Sequence, residues 1–334
     1  MTTSIASNDF RVFTTIRRIE GVTDYTGALR SFFRTNDQYG FTGSLIFQNN
    51  TNDIEPWVIA QELLSCTASL SPFIAVNPIY MHPYTAAQKI LSLTRLYNRK
   101  IYINFITGTS LSDLDAMNGL LSHEERYQRL TEYMAIVSHL LTSRVPLTNN
   151  GRYYQVKNLR LTGQLAAALT PEIYIAGSSA DAGLAREKTG AGKIEMARPL
   201  AACTTRPAEN VIIHFGIIAA ADAATARQQL LDDYSARFPE AKELFDLSMK
   251  NTDATWKTLL KEEKEDHIYR LEPFKHFSAD CPYLVGSYEQ VAQYLNHYIT
   301  GGRKTFIIEA DHHQLESIHT VLQLLNRQPY EIIV

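Results

Sequence analysis

A strand-like run that ends in a hydroxyl-rich turn, YINFITGTS at residues 102–110, is followed by HEERY at 123–127, which sets His123 and Tyr127 four apart at the head of a helix. If Ile103 and Phe105 face flanking helices, then Tyr102, Asn104 and Ile106 point the other way, into a core. Asn104 is then an amide among apolar neighbours, and its donors and acceptor need partners. Thr107, Gly108, Thr109 and Ser110 bring further donors and acceptors to the strand's end. On the next helix Tyr127, Leu130, Met134, Val137 and Leu141 form one stripe, with His123 a turn ahead on the same face. Such a set can line a ligand at the strand ends, or it can satisfy backbone groups and pack beneath a loop. Spacing alone leaves both readings open.

A second constellation, YIAGSSADAGLAREK at 174–188, ends a strand in Gly177–Ser178–Ser179 and starts a helix at once. Glycine permits a tight turn, the hydroxyls donate or cap, and the free amides of the first helical turn point outward. That is an anion site suited to a phosphate, although serine caps are common on helices of every function.

The elements that must position these residues alternate in type. Strand-like runs are RVFTTI (11–16), GSLIF (43–47), PFIAV (72–76), IYINFI (101–106), EIYIA (172–176), KIEMA (193–197), NVIIHFGII (210–218) and KTFIIEA (304–310). They are apolar on both faces, as parallel strands covered on each side must be. Between them lie helical patterns, such as Ala86, Ile90, Leu93 and Tyr97, or Leu315, Ile318, Leu322 and Leu325. Eight strands with intervening helices predict an α/β fold, a (β/α)8 TIM barrel forming one domain over 1–334, with a doubly wound sheet as the competitor. Ser122 with Glu125 and Ser287 with Gln290 read as capping boxes, and Gly301–Gly302 as a helix stop. Residues 222–280 break the rhythm with a polar, helix-prone stretch, expected to be a helical and loop insertion before the last strand. The first ten residues are expected to fray. In such a barrel the site lies where strands end and helices begin, so the starts at Ser122 and Ser178–Ser179 should share one rim.

Composition excludes several classes. The 334 residues are 45% hydrophobic and 20% charged, with a net charge of −3 and no dense Lys/Arg run, which argues against nucleic acid or an anionic membrane as partner. No signal peptide is evident, and VIIHFGIIAAA at 211–221 is too short to span a bilayer. Cys66, Cys203 and Cys281 are far apart without C-x-x-C spacing, as expected of a reduced, cytoplasmic chain with buried, inert thiols. His312–His313 resembles half a metal site but is expected to be structural, and His214 within an apolar strand reads as a satisfied core histidine, so no metal is expected. Arg198 at the end of strand six could bind a substrate or a cofactor phosphate, or form a surface ion pair. Glu309 and Asp311, ending the last strand, could anchor substrate or cap the next helix. KEEKED at 261–266 reads as a solvated face.

Three blocks in order, NFITGTS…HEERYQRLTEY, YYQVKNLRL…PEIYIAGSSADAGLARE and PYLVGSYEQVAQYL…GGRKTFIIEADHHQLES, resemble the bacterial luciferase-like superfamily, and within it the alkanesulfonate monooxygenase branch of two-component flavin enzymes. The similarity spans roughly residues 25–325. It implies a (β/α)8 barrel with an insertion before the last strand. It also implies reduced FMN, supplied by a separate NAD(P)H:FMN reductase, that reacts with O2 to oxygenate a small substrate. By position, Ser178 and Ser179 match the phosphate-binding serines. His123 and Tyr127 match the flavin-lining pair, Asn104 and Thr107 belong to the N-x-x-T-G strand end, and Asn77 falls near a flavin-contacting end of strand three, with Gly177 heading the phosphate turn. A homodimer or homotetramer is implied in the same way. The catalytic residues stay unassigned.

The resemblance fails where the substrate should be. The branch's Arg-x-His aligns with Ile218 and Ala220, its Cys near strand two with the neighbourhood of Asp53, and its Tyr after the last strand with that of Asp311. Losing two cations and gaining carboxylates disfavours an anionic headgroup and predicts a substrate neutral or cationic at its reacting end. A degenerate flavin-binding protein and an F420-dependent hydride transferase are the rival expectations.

Overall fold

The computed structural model describes residues 10–16, 23–48, 54–108, 111–117, 119, 121–203, 210–235, 266–275, 279 and 281–327. Thr109, Ser110, Asp53, nine of the first ten residues and much of 222–280, including 261–265 of KEEKED, lie outside the described residues. The last residue of that run, Asp266, is half-buried and accepts from the Ile268 and Tyr269 amides and the Tyr294 hydroxyl rather than standing on a solvated face.

The strands are β1 (Arg11–Ile16), β2 (Gly43–Ile46), β3 (Ser71–Val76), β4 (Tyr102–Phe105), β5 (Leu147–Asn150) and β6 (Gln155–Leu159). They continue as β7 (Glu172–Ala176), β8 (Gly192–Met196), β9 (Val211–Ala220), β10 (Tyr269–Arg270), β11 (Tyr283–Ser287) and β12 (Thr305–Ala310). Eight of them pair in the order β9-β12-β1-β2-β3-β4-β7-β8, and β8 pairs with β9 to close a parallel (β/α)8 barrel. All eight correspond to strands read from the sequence, with ends shifted by no more than two residues. β3 and β12 are buried at every position, the signature of strands covered on both faces. Four strands were not foreseen: β5 and β6, which form an antiparallel hairpin, and β11 and β10, which extend the sheet from β9.

The chain divides into two compact units, residues 1–44 with 194–334 and residues 45–193. In the first, Phe215 and Phe306 meet edge to face at 5.6 Å, and the Thr14 hydroxyl donates to Asn36 Oδ1 at 2.7 Å while Asn36 Nδ2 donates to the Phe32 carbonyl. The buried amide is satisfied and fixes the Tyr25–Gln38 helix against β1. The Leu315–Arg327 helix buries Leu315, Ile318, Leu322 and Leu325, the stripe read from the sequence. Ser287 and Gln290 form both halves of a capping box, and Gly302, at φ 83°, supplies the left-handed stop of that helix.

In the second unit, β3, β4 and β7 run parallel in adjacent register, so their C-terminal ends leave the sheet together. Ile103 and Phe105 pack beside Ile90, Val137 and Leu141 of two helices, as alternation requires. The Arg99 guanidinium donates to four acceptors, Thr67 Oγ1 and the carbonyls of Leu64, Thr67 and Leu70, which closes the end of the Pro56–Cys66 helix. Glu132, on the His123–Thr142 helix, accepts from Asn149 Nδ2 and the Tyr153 and Tyr154 amides and so seats the β5–β6 hairpin.

Gly216 shows how tightly β9 is packed. A Cβ there would lie 2.2 Å from the Tyr283 ring, which is fully buried and tethered through its hydroxyl to Glu309. Gly216→Ala should therefore destabilise the protein by about 1–3 kcal/mol, read as a lower urea midpoint with an unchanged slope. An unaltered midpoint would contradict this packing.

Candidate functional site

The His123–Thr142 helix begins at a complete capping box: Ser122 Oγ accepts from the Glu125 amide at 3.2 Å, and Glu125 Oε2 from the Ser122 amide at 3.0 Å. Those hydrogen bonds hold the Glu125 carboxyl below its usual range. The Ala180–Thr189 helix begins at Ser179, whose Oγ accepts from the Ala182 amide at 3.2 Å. The two starts meet. His123 Nδ1 lies 2.6 Å from Asp181 Oδ2, joining the first residue of one helix to the second of the other. Tyr127 stands 5.1 Å from the His123 ring and donates to the Ala176 carbonyl at 3.4 Å, where β7 ends. The shared rim expected from the sequence is present, with Asp181 as a member that sequence reasoning missed. Its one local signal was an acidic residue in a helix first turn, which usually reads as a dipole partner.

Gly177 sits inside this rim at φ 111°, a conformation that side chains disfavour. A Cβ there would come 3.0 Å from the Tyr127 hydroxyl, so glycine is needed twice, for backbone and for space. Ser178 is exposed and Ser179 half-buried, leaving the turn open to solvent while Tyr127 is buried below it.

Asn104 is buried, and its Oδ1 has no hydrogen-bond partner. The reading in which Asn104 merely satisfies backbone groups does not hold for that atom. An orphaned amide oxygen in an apolar setting costs about 1–3 kcal/mol, a cost that a ligand N–H would remove. Asn104 shares a register row with Ala75 and Tyr174, and the strand ends above it carry Asn77 and Thr107, both buried. Asn77 Oδ1 accepts from the Ile79 amide at 3.2 Å, and its Nδ2 would be 3.1 Å from a Cβ on Gly108. The hairpin supports this row, since the Tyr154 hydroxyl donates to the Pro78 carbonyl at 3.4 Å and burial pushes that phenol up to about 12.

A helix start whose first-turn amides can meet an anion, a glycine cleared of side chain and an unsatisfied buried amide oxygen together suit a ligand that carries an anionic group and a hydrogen-bond donor. The sequence comparisons agree with that chemistry. The luciferase-like monooxygenase profile matches residues 9–305. The chain is also 30% identical over 319 residues to the 4-(gamma-L-glutamylamino)butanoyl-[BtrI acyl-carrier protein] monooxygenase BtrO of Niallia circulans, covering 90% of this chain and 93% of that one. The chain belongs to the luciferase-like monooxygenase family. Among solved structures, riboflavin lyase with modified FMN and riboflavin superposes with a TM-score of 0.71 at 16% identity, over 96% of this chain and 92% of that one. An F420-dependent secondary alcohol dehydrogenase superposes at 0.67 with 14% identity, over 95% and 99%. Both likenesses are of fold.

In this luciferase-like monooxygenase the substrate candidates separate from one another. Arg198 is exposed just past β8. Asp311 is the cap of the next helical turn, in a reciprocal box with Gln314, so its capping role is the one seen. Glu309 is no solvated cap: it is buried and accepts from the Tyr283 hydroxyl at 3.1 Å and the Cys281 thiol at 3.4 Å. His214 requires a correction. It is buried as expected, but its Nε2 has no partner, and burial holds the imidazole down at about 4. Ile218 and Ala220, at the positions aligned with two cations, pack into an apolar cluster with Ala226, Leu230 and Val285.

Gly177→Ala should cost about 1–3 kcal/mol through backbone strain alone and shift the near-ultraviolet dichroism of the displaced Tyr127. Equal urea midpoints for the variant and the parent would remove the argument for Gly177.

Proposed function

We propose that the protein is a two-component monooxygenase that takes reduced FMN from a separate NAD(P)H:FMN reductase and oxygenates a small organic substrate other than an alkanesulfonate. The orphaned Asn104 Oδ1 beneath the strand ends is the observation that carries the flavin reading. The first-turn amides at Ser179, with Gly177 and Ser178, would hold the phosphate. Asn104 would accept from an N–H of the ring, while Asn77 and Thr107 would line its edge. His123 and Tyr127 would wall the other side, with Asp181 fixing the imidazole. When bound, the reduced flavin supplies two electrons to O2, so that one oxygen atom enters the substrate and the other leaves as water. The chain's own residues contribute orientation and the exclusion of water. A homodimer or homotetramer is the expected assembly.

The substrate reading rests on Ile218 and Ala220. A sulfonate needs a cation, and these side chains are buried among apolar neighbours. BtrO, by its name, oxidises an acyl group carried on a carrier protein. An acyl thioester, uncharged at its reacting end, is consistent with an apolar strand end and is the first substrate class to test.

Anaerobic titration with reduced FMN, oxidised FMN and F420, followed by air, separates the readings. Tighter binding of reduced FMN, with oxidation slower than that of free flavin, is expected. Binding of F420 alone would replace the monooxygenase by a hydride transferase, and FMN binding without oxygenation by a degenerate flavoprotein. Ser179→Glu places a like charge in the phosphate site and should abolish FMN binding, whereas unchanged affinity would remove the phosphate assignment. Turnover of short alkanesulfonates at the rate of acyl thioesters would overturn the substrate reading.

A further inference from the structure

Three side chains outside the flavin rim make a second constellation. His214 projects from the middle of β9, Cys281 lies two residues ahead of β11, and Glu309 is the fifth residue of β12. β9 pairs with β12 so that His214 opposes Ile307 and Gly216 opposes Glu309. Parallel register therefore puts His214 and Glu309 on one face of the sheet, and pairing of β11 with β9 brings Cys281 alongside. One donor atom of each residue lies within 4.8 Å of the other two. The Sγ–Oε2 separation is 3.4 Å, close to the edge of about 3.6 Å that a tetrahedral zinc ion sets between sulfur and oxygen ligands. All three side chains are buried.

We propose that His214, Cys281 and Glu309 form a binding site for a divalent transition-metal ion of the zinc class. Without an ion, the His214 Nε2 lone pair or proton is unmet, a cost of about 1–3 kcal/mol at a buried site. The buried carboxylate beside it accepts from a phenol and from a thiol, a weak donor. A dication would give the unpartnered nitrogen its partner, with sulfur and oxygen ligands already at hand. Thiolate and carboxylate carry two negative charges, the imidazole is neutral, and a dication balances the set. Sulfur, nitrogen and oxygen in one set favour a borderline ion and disfavour Mg2+ or Ca2+, which take oxygen ligands. Tyr283 donates to Glu309 Oε1 at 3.1 Å and so leaves Oε2, the oxygen nearest Cys281, turned to the ion. Gly216 makes room for that phenol. Filling the site would fasten β9, β11 and β12 to one another.

The test uses the full chain, stripped with a chelator and titrated with Co2+. About one equivalent should bind with a thiolate-to-cobalt charge-transfer band and the intense visible bands of tetrahedral cobalt, and Zn2+ should displace it. Changing Cys66 and Cys203 together to Ser must leave the band intact, whereas Cys281→Ser must remove it. His214→Gln should weaken binding, and Tyr283→Phe should lower affinity about 10–100-fold. Circular dichroism checks that each variant folds, and Zn2+ should raise the Tm of the parent but not that of Cys281→Ser. No uptake, uptake without a thiolate band, or a band that survives Cys281→Ser would each overturn the site.

Discussion

The contact between His123 and Asp181 is the constraint on which the rim of the candidate site depends. It ties the first turns of two helices whose residues lie 58 apart in sequence, and each helix start has its own reason to be there. Ser122 and Glu125 terminate one helix reciprocally, and Ser179 caps the other. Neither cap specifies a distance to the other. The imidazole–carboxylate pair does, and Tyr127 adds a second tie by donating to the last carbonyl of β7. Both side chains of the pair are about one-third exposed, so its contribution to global stability is small, as for surface pairs generally. Its effect is geometric. It takes up the carboxylate of Asp181, which would otherwise repel an anion at the same helix start, and turns it toward the imidazole.

How much of this was legible follows from where each signal resides. The barrel strands were readable because strands buried on both faces are uninterrupted runs of Ile, Val, Phe and Tyr. The β5–β6 hairpin was not, since LTNN and QVKNL are polar and exposed on alternate residues, and what holds them is Glu132 on a helix already assigned to other work. β11 is short and lies inside a block read as a helix start. Caps were readable because they are local. Asp181 was not recognised as a partner of His123, because nothing within a few residues of either announces a long-range pair. Gly177, Ser178 and Ser179 were found for a local reason, and Asn104 because an amide in an apolar strand is conspicuous.

His214 illustrates the converse error. Its apolar flanks, VII before and FGII after, predict burial correctly, and burial invites the assumption of a satisfied ring. Satisfaction depends on neighbours that arrive from β12 and from the approach to β11, far along the chain. The structure brings a thiol and a carboxylate there and still leaves Nε2 without a partner. Asn104 has the same character in the other unit: a buried polar atom whose partner is not in the protein. Other buried polar atoms of the described residues also lack a partner, Trp57 Nε1 and Thr94 Oγ1 among them, so what sets these two apart is their surroundings: one lies below strand ends beside a shared rim of helix starts, the other beside a thiol and a carboxylate.

The two exceptions differ in what they ask for. Asn104 lies below strand ends that open into a turn with an exposed serine, so its ligand can be large and exchangeable, as the proposed flavin would be. The His214 cluster is closed over by Tyr283 and by the apolar residues that include Ile218 and Ala220, so it suits a small ion held for the life of the fold. This contrast also bears on the substrate. Along β9 a polar group sits at 214, no side chain at 216, and hydrocarbon at 218 and 220. A strand that carries its polarity in its middle and apolar side chains toward its end presents nothing to an anionic headgroup there. That arrangement, more than the absence of any single arginine, is what supports the proposal of a substrate other than a sulfonate.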